Sequence, residues 1–414
     1  MSVSEIKETL NVAIVGGGAA GFFAALTAAE KYPGASITIF EKSHKVLSKV
    51  SISGGGRCNL THDCQSVSEL CRAYPRGGKE LKKIFNRFDT RQTMQWFESR
   101  GVPLVVQDDG CVFPAAQDAQ KVVDCLVRES HRLRVRVVTG CAVDGLSLSG
   151  EKWVLINREG KTVPGRFDKV LVSIGGNPRK KSLSWLESLG HITENPVPSL
   201  FSFSIASEPL HRLMGVVVSD VSVRIRGESF KAQGPLLITH WGMSGPVILK
   251  LSSFAARFLH KAGYQTEILV NWINQPNQDK VSEALSDFSL THPEKMIAGH
   301  PLFGLPSRLW SFLIEKTGCD PALRWGSLGK KQRNRLVNAL THDLYSMDGK
   351  AAFKEEFVTC GGIRLEEVNL ETLESKLCRN LYFAGEILDI DGITGGFNLQ
   401  AAWATGYVAG QFHA

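Results

Sequence analysis

Residues 11–42, NVAIVGGGAAGFFAALTAAEKYPGASITIFEK, read as one unit: a strand, a glycine turn, a helix and a second strand closed by an acid. Residues 12–15 are a short apolar run suited to a strand buried on both faces. Gly16, Gly18 and Gly21 follow at the G-x-G-x-x-G positions. The first glycine permits the tight turn, and the second lets backbone come close to a pyrophosphate. The third allows the helix to pack closely on the sheet, so that its N-terminal N–H groups, around Ala19 and Ala20, are aimed at the phosphates. Glu41, with Lys42 beside it, ends the strand at 37–40, where a carboxylate accepts hydrogen bonds from ribose hydroxyls. The unit predicts an α/β, Rossmann-like dinucleotide fold.

Residues 11–29 carry no charge and could pass for a signal or membrane segment. Three adjacent glycines in the middle, a leader with Glu5, Lys7 and Glu8, and the absence of a stop-transfer pattern argue against both. With 414 residues, 43% apolar and 21% charged, the chain is expected to form two or three globular domains. Its nine cysteines make an odd number and form no C-x-x-C, so neither a metal site nor a disulfide framework is indicated. Reduced thiols fit a cytoplasmic protein. A net charge of +7 favours an anionic partner such as RNA or a phosphorylated cofactor.

A second glycine cluster, Gly54, Gly55 and Gly56, precedes Arg57, Cys58 and Asn59. Three consecutive glycines imply close backbone approach, in a flavin fold to the isoalloxazine or pyrophosphate, with Arg57 as charge partner; the bland alternative is a flexible loop. Residues 69–100 predict helix, with Leu81, Ile84, Phe85 and Phe88 on one face. Strands are expected at 135–138, 141–148 and 153–156, with Val143 a candidate to run along an adenine, and at 169–174, ending in Gly175 and Gly176. No second G-x-G-x-x-G follows, so no separate nicotinamide domain is visible. From 195 to 275, proline-punctuated alternating runs have β-barrel or sandwich texture. Helical segments are expected at about 279–345. Among them the acid-free stretch 321–340 holds Arg324, Lys330, Lys331, Arg333 and Arg335 beside Trp325, a set able to meet RNA phosphates and a base or simply to form an exposed basic helix. From 346 the chain returns to the first domain. Gly385 and Glu386 follow the strand at 381–384, and Asp391, Gly395, Gly396 and Asn398 lead into a last helix of small residues, whose N–H groups again face negative charge.

VGGGAAG near the start, SGGGRCNLT near 55, THWGMSGP at 239–246 and LYFAGEILDIDGITGGFNLQAAWATG at the end together resemble the bacterial BaiN/RdsA-type NAD(P)/FAD-dependent oxidoreductases. The resemblance spans the whole chain. It implies FAD bound by a two-part domain, residues 1–194 and 346–414, interrupted by a β-barrel (195–275) and a helical insert (276–345). It also implies, for some members, reduction of a uridine in 23S rRNA to dihydrouridine, and for another branch reduction of bile-acid intermediates. The sequence departs from the family at 45–50, KVLSKV, and at 173–176, SIGG.

Such a protein would set its flavin against an electron-poor C=C and supply a proton to the other carbon, with NADH or NADPH as electron donor. Cys58, Cys360 and His240 are the candidate proton donors, Cys58 first because of its glycine loop; free cysteines are otherwise ordinarily small buried residues. Three functions stay open: an rRNA-modifying flavoenzyme, an ene-reductase of small molecules, and a non-catalytic flavin-folded RNA-binding factor.

Overall fold

The computed structural model describes residues 9–176, 183–206, 208–351 and 358–412. The chain divides into two compact units, residues 1–197 with 358–414, and residues 198–357. In the first unit five parallel strands lie side by side in the order Leu381–Phe383, Lys169–Val172, Asn11–Val15, Ser36–Phe40, Arg136–Val138. Val12, Ala13 and Ile14 of the central strand have no exposed surface, as an unbroken apolar run requires. The order reverses at this strand: the chain goes on to Ser36–Phe40 and Arg136–Val138 on one side and then returns to Lys169–Val172 and Leu381–Phe383 on the other. A crevice at the carboxyl ends of the strands is the expected consequence.

The first helix, Ala19–Lys31, is buried from Ala20 to Ala29, and the last, Phe397–Gly410, is buried almost as fully. Small residues make this possible. A Cβ on Gly406 would lie 2.6 Å from the Ala20 carbonyl oxygen, and one on Gly410 would lie 2.5 Å from that of Ala24. The constant offset shows that the two helices run parallel in backbone contact. It also shows that the last helix starts about eight residues ahead of the first, roughly 12 Å along the shared axis.

The helix expected over 69–100 is three: Val67–Arg72, Gly78–Phe85 and Thr90–Glu98. Pro75 and the left-handed Gly77 (φ +73°) break it once. Asp89 breaks it again by accepting N–H bonds from Arg91 and Gln92 in a capping box. The apolar face survives the breaks, because Leu81, Ile84, Phe85 and Phe88 are all buried.

The second unit is built on seven antiparallel strands, ordered Asp343–Met347, Thr266–Asn271, Val217–Ile225, Lys231–Thr239, Gly242–Ser244, Phe203–Ser204, Gly349–Lys350. The two outermost segments are separated in the chain only by Asp348, so one piece of backbone serves both edges and curls the sheet on itself. Three longer helices, Gln278–Thr291, Ser307–Lys316 and Lys330–Thr341, share the core of this sheet. Two expectations change here. Residues 343–345, read as the end of a helical run, belong to a strand, Asp343–Met347, whose alternate residues Asp343, Tyr345 and Met347 are buried. Trp325, read as a platform for a base, has no exposed surface and stacks against Trp310, with ring centroids 6.1 Å apart. No helix among the described residues is long and apolar enough to cross a membrane.

Candidate functional site

The glycines of the first turn separate by role. Gly16 has φ +111°, and a Cβ there would lie 2.4 Å from the Ser173 carbonyl oxygen; a Cβ on Gly21 would lie 2.0 Å from that of Gly16. Both are demanded by the protein's own backbone. Gly18 is different: its φ of −93° suits any residue, and a Cβ would meet nothing within 4 Å. The space before it is open. No side chain caps this helix and no acid lies in its first turn, which leaves the amides around Ala19 and Ala20 to an outside anion.

Glu41 sits at the carboxyl end of its strand, but its carboxylate is already tied into the chain. Oε2 accepts from the Gly17 N–H at 2.8 Å, and Oε1 accepts from the Ser43 N–H and hydroxyl at 2.9 and 2.8 Å. Lys42 is exposed beside it. Val143 lies in the strand Val143–Ser149, which follows Cys141, whose N–H bonds to the Glu41 carbonyl.

At the neighbouring strand ends, Gly175 (φ +72°) and Gly385 (φ +75°) both take left-handed turns. Glu386 joins them: it accepts from the Thr359 N–H at 2.8 Å and from Lys49 Nζ at 2.6 Å, and a Cβ on Gly176 would come within 2.6 Å of its carboxylate. Lys49 and Thr359 were not singled out in the sequence. Lys49 lies in the 45–50 stretch that departs from the family, which hid it.

The turn before the last helix is held from several sides. Asn398 accepts from the Gly392 N–H at 2.8 Å and donates back to its carbonyl at 2.9 Å. Tyr74 donates its hydroxyl to the Phe397 carbonyl at 2.6 Å, and His62 stacks on the Phe397 ring at 4.6 Å. Asp391, 1% exposed, is paired with Arg76, whose Nε donates to it at 2.5 Å. Asp391 and Asn398 are therefore clasps that shape the turn. Gly396 (φ +87°) leads into the helix with no side-chain cap, and Gly395 lies at φ +124°. Two buried polar atoms beside this turn, Asn59 Oδ1 and Gln400 Nε2, have no hydrogen-bond partner. Burying such groups unpaired costs about 1–3 kcal/mol each, so the site is built for a polar occupant.

Gly54, Gly55 and Gly56 follow one another at positive φ, from +57° to +84°, and Cβ atoms on Gly55 and Gly56 would meet nothing. Successive left-handed residues turn their N–H groups toward one side, a concavity suited to an anion. Arg57 beside them is exposed, its guanidinium 4.4 Å over the Phe113 ring.

Cys58 and Cys360 lie in the first unit with no exposed surface, and His240 is an exposed turn residue of the second. Burial pushes the Cys58 thiol up to about 12, so it stays protonated at neutral pH, enclosed among core side chains. That is the character of a small core residue, because a donor must touch its substrate. Cys58→Ala is expected to keep its flavin and its turnover while losing about 1 kcal/mol of stability, read by thermal melting and product formation. A fall in turnover of about a hundredfold with flavin retained would reinstate Cys58 as the donor.

In the second unit Arg324, Lys330, Lys331 and Arg335 are exposed and Arg333 is half-buried. The helix Lys330–Thr341 contains no acid. Among the described residues no group of three or more His, Cys, Asp or Glu could hold a metal ion.

The chain matches, over residues 10–412, the family described as HI0933-like protein Rossmann domain, and it belongs to that family. It is 30% identical over 412 residues to a 3-dehydro-bile acid delta(4,6)-reductase of Clostridium scindens, covering 97% of this chain and 98% of that one. It is 27% identical over 426 residues to a ribosomal RNA dihydrouridine synthase of Escherichia coli, covering 98% of each. Among solved structures, a 3-ketosteroid-delta4-(5alpha)-dehydrogenase of Rhodococcus jostii shares the fold, with a TM-score of 0.50, 13% identity and coverage of 100% of this chain and 99% of that one.

Proposed function

We propose that this protein binds FAD in its first unit and reduces the C=C bond of a uridine in 23S rRNA, giving dihydrouridine, with NADH or NADPH as the source of electrons. The observation that carries the RNA reading is the acid-free run of cations in which Arg324, Lys330, Lys331 and Arg335 are exposed and Arg333 is half-buried. Relatives named as ribosomal RNA dihydrouridine synthases, from Escherichia coli and Haemophilus influenzae, support it. The cradle fits the cofactor: an open Gly18, two uncapped helix N-termini about 12 Å apart along one axis, and unpartnered polar atoms beside the second suit an extended, phosphorylated molecule.

When bound, the flavin supplies the two-electron chemistry. The protein's residues hold and polarise. The first helix and the open face of Gly18 hold the pyrophosphate, with Glu41 fixing the turn through Gly17. The left-handed glycines at 54–56 and the turn at Gly395 and Gly396 present N–H groups to negative charge on the ring. Glu386, pinned by Lys49 and Thr359, braces the strand ends between them.

The higher identity to the Clostridium scindens reductase favours a second reading, reduction of a small unsaturated molecule, which needs no affinity for RNA. Replacing Lys330, Lys331, Arg333 and Arg335 by alanine separates the two. On the RNA reading, binding of protein-free rRNA weakens and its salt dependence flattens by up to about one unit per lost contact, with flavin content unchanged. Unaltered binding would turn the account to the small molecule.

A further inference from the structure

Beside the basic helix lies a groove of about 810 Å³, walled by the end of Ser307–Lys316 on one side and by Lys330–Thr341 on the other. We propose that it holds single-stranded RNA by its ribose hydroxyls as well as by its phosphates; this rests on the rRNA reading above and gives it a place and a selectivity.

Lys331 and Arg335 line the groove one helical turn apart, and Asn334 and Asn338 line it in a second row of the same spacing. Four residues of helix rise roughly 6 Å, close to the separation of neighbouring phosphates on an extended strand. Asn334 and Asn338 are exposed, and among the described residues their side chains have no intramolecular partner. They carry no charge, so attraction of polyanions does not explain them; amides donate to and accept from hydroxyls.

His342 extends this row. Its Nδ1 lies 3.0 Å from both Gln278 Nε2 and Thr341 Oγ1, which fix the ring in place. Burial, with Arg224 nearby, holds the imidazole below its usual pKa, so the ring is neutral at physiological pH and carries one N–H and one acceptor nitrogen. The carboxylate lining the groove, Asp343, does not oppose an anion. It is 4% exposed and accepts from Trp272 Nε1 at 2.9 Å, Tyr345 Oη at 2.6 Å and Lys316 Nζ at 2.5 Å. Lys316 is thereby committed, which leaves Lys331 and Arg335 as the groove's cations for phosphate. Leu344, 41% exposed at the edge, offers an apolar face to a base. Cations at phosphate spacing, neutral hydroxyl-binding groups and an apolar edge suit an RNA strand better than a lipid surface or a free anion, and the 2′-hydroxyl is what separates RNA from DNA.

The test uses the full-length, flavin-loaded protein and the fluorescence anisotropy of one short single-stranded sequence made as RNA and as DNA. Wild type is expected to bind the RNA about tenfold more tightly, as two or three modest hydrogen bonds allow. Asn334→Ala with Asn338→Ala should bring the two affinities together, leaving DNA binding and the salt slope unchanged. Lys331→Ala with Arg335→Ala should weaken both and flatten the slope by about 1.4 units. A preference for RNA that persists in the asparagine double variant, or equal affinities in wild type, would overturn the groove while leaving the rRNA reading standing. Wild type that binds neither strand would remove both.

Discussion

Gly18→Val is expected to give a folded and colourless protein. The backbone at Gly18 is extended, so valine enters without strain, and its Cβ meets nothing belonging to the chain. The added methyls instead fill the space before the N–H groups of the first helix, where a pyrophosphate oxygen must come within hydrogen-bond distance. Losing two bonds to a charged phosphate, each worth about 1.5–3 kcal/mol, lowers flavin affinity by at least about a hundredfold. The purified variant should therefore lack the flavin absorbance of wild type while keeping the far-ultraviolet circular dichroism of the ligand-free fold. Gly21→Val is the contrast: its Cβ would collide with the Gly16 carbonyl oxygen at 2.0 Å, and the expected outcome is insoluble protein. Full flavin content in Gly18→Val would mean that the phosphates lie elsewhere.

The separate roles of Gly16, Gly18 and Gly21 follow from their places in the motif; the structure adds what a side chain at each would meet. The motif itself was legible because a strand, a turn and a helix buried all round leave a dense local pattern: an apolar run, three spaced glycines and an acid at the next strand's end. The parallel contact of the first and last helices left a weaker trace in Gly406 and Gly410, whose partners are nearly four hundred residues away. What escaped were features fixed by tertiary packing. Trp325 beside five cations suggested a stacking platform, but it lies in a short turn, Trp325–Ser327, ahead of the basic helix and packs its indole into the core. Cys58, read as a proton donor because of its glycine loop, has a left-handed backbone (φ +61°) and no exposed surface, which the sequence does not show. The internal bonds of Asp391 and Asn398, read only as cofactor contacts, to Arg76 and to Gly392 were equally hidden. The Lys49–Glu386 pair joins residues more than three hundred positions apart and has no local signature.

The largest effect expected in the cell is the disappearance of a modification. Chemistry on a base requires it to be unstacked, so the enzyme should act on free or partly assembled rRNA, before the target uridine is enclosed in the ribosome. Removing the protein should then leave that uridine unreduced in every ribosome, because no later step can reach it. The measurement that bears most directly on the account is mass spectrometry of 23S rRNA from a strain lacking this gene, beside the same strain carrying the wild-type gene or the Gly18→Val variant. The expected result is a dihydrouridine present with the wild-type gene and absent from both the deletion and the Gly18→Val strain. A dihydrouridine content identical in all of them would contradict the assignment of rRNA as the substrate.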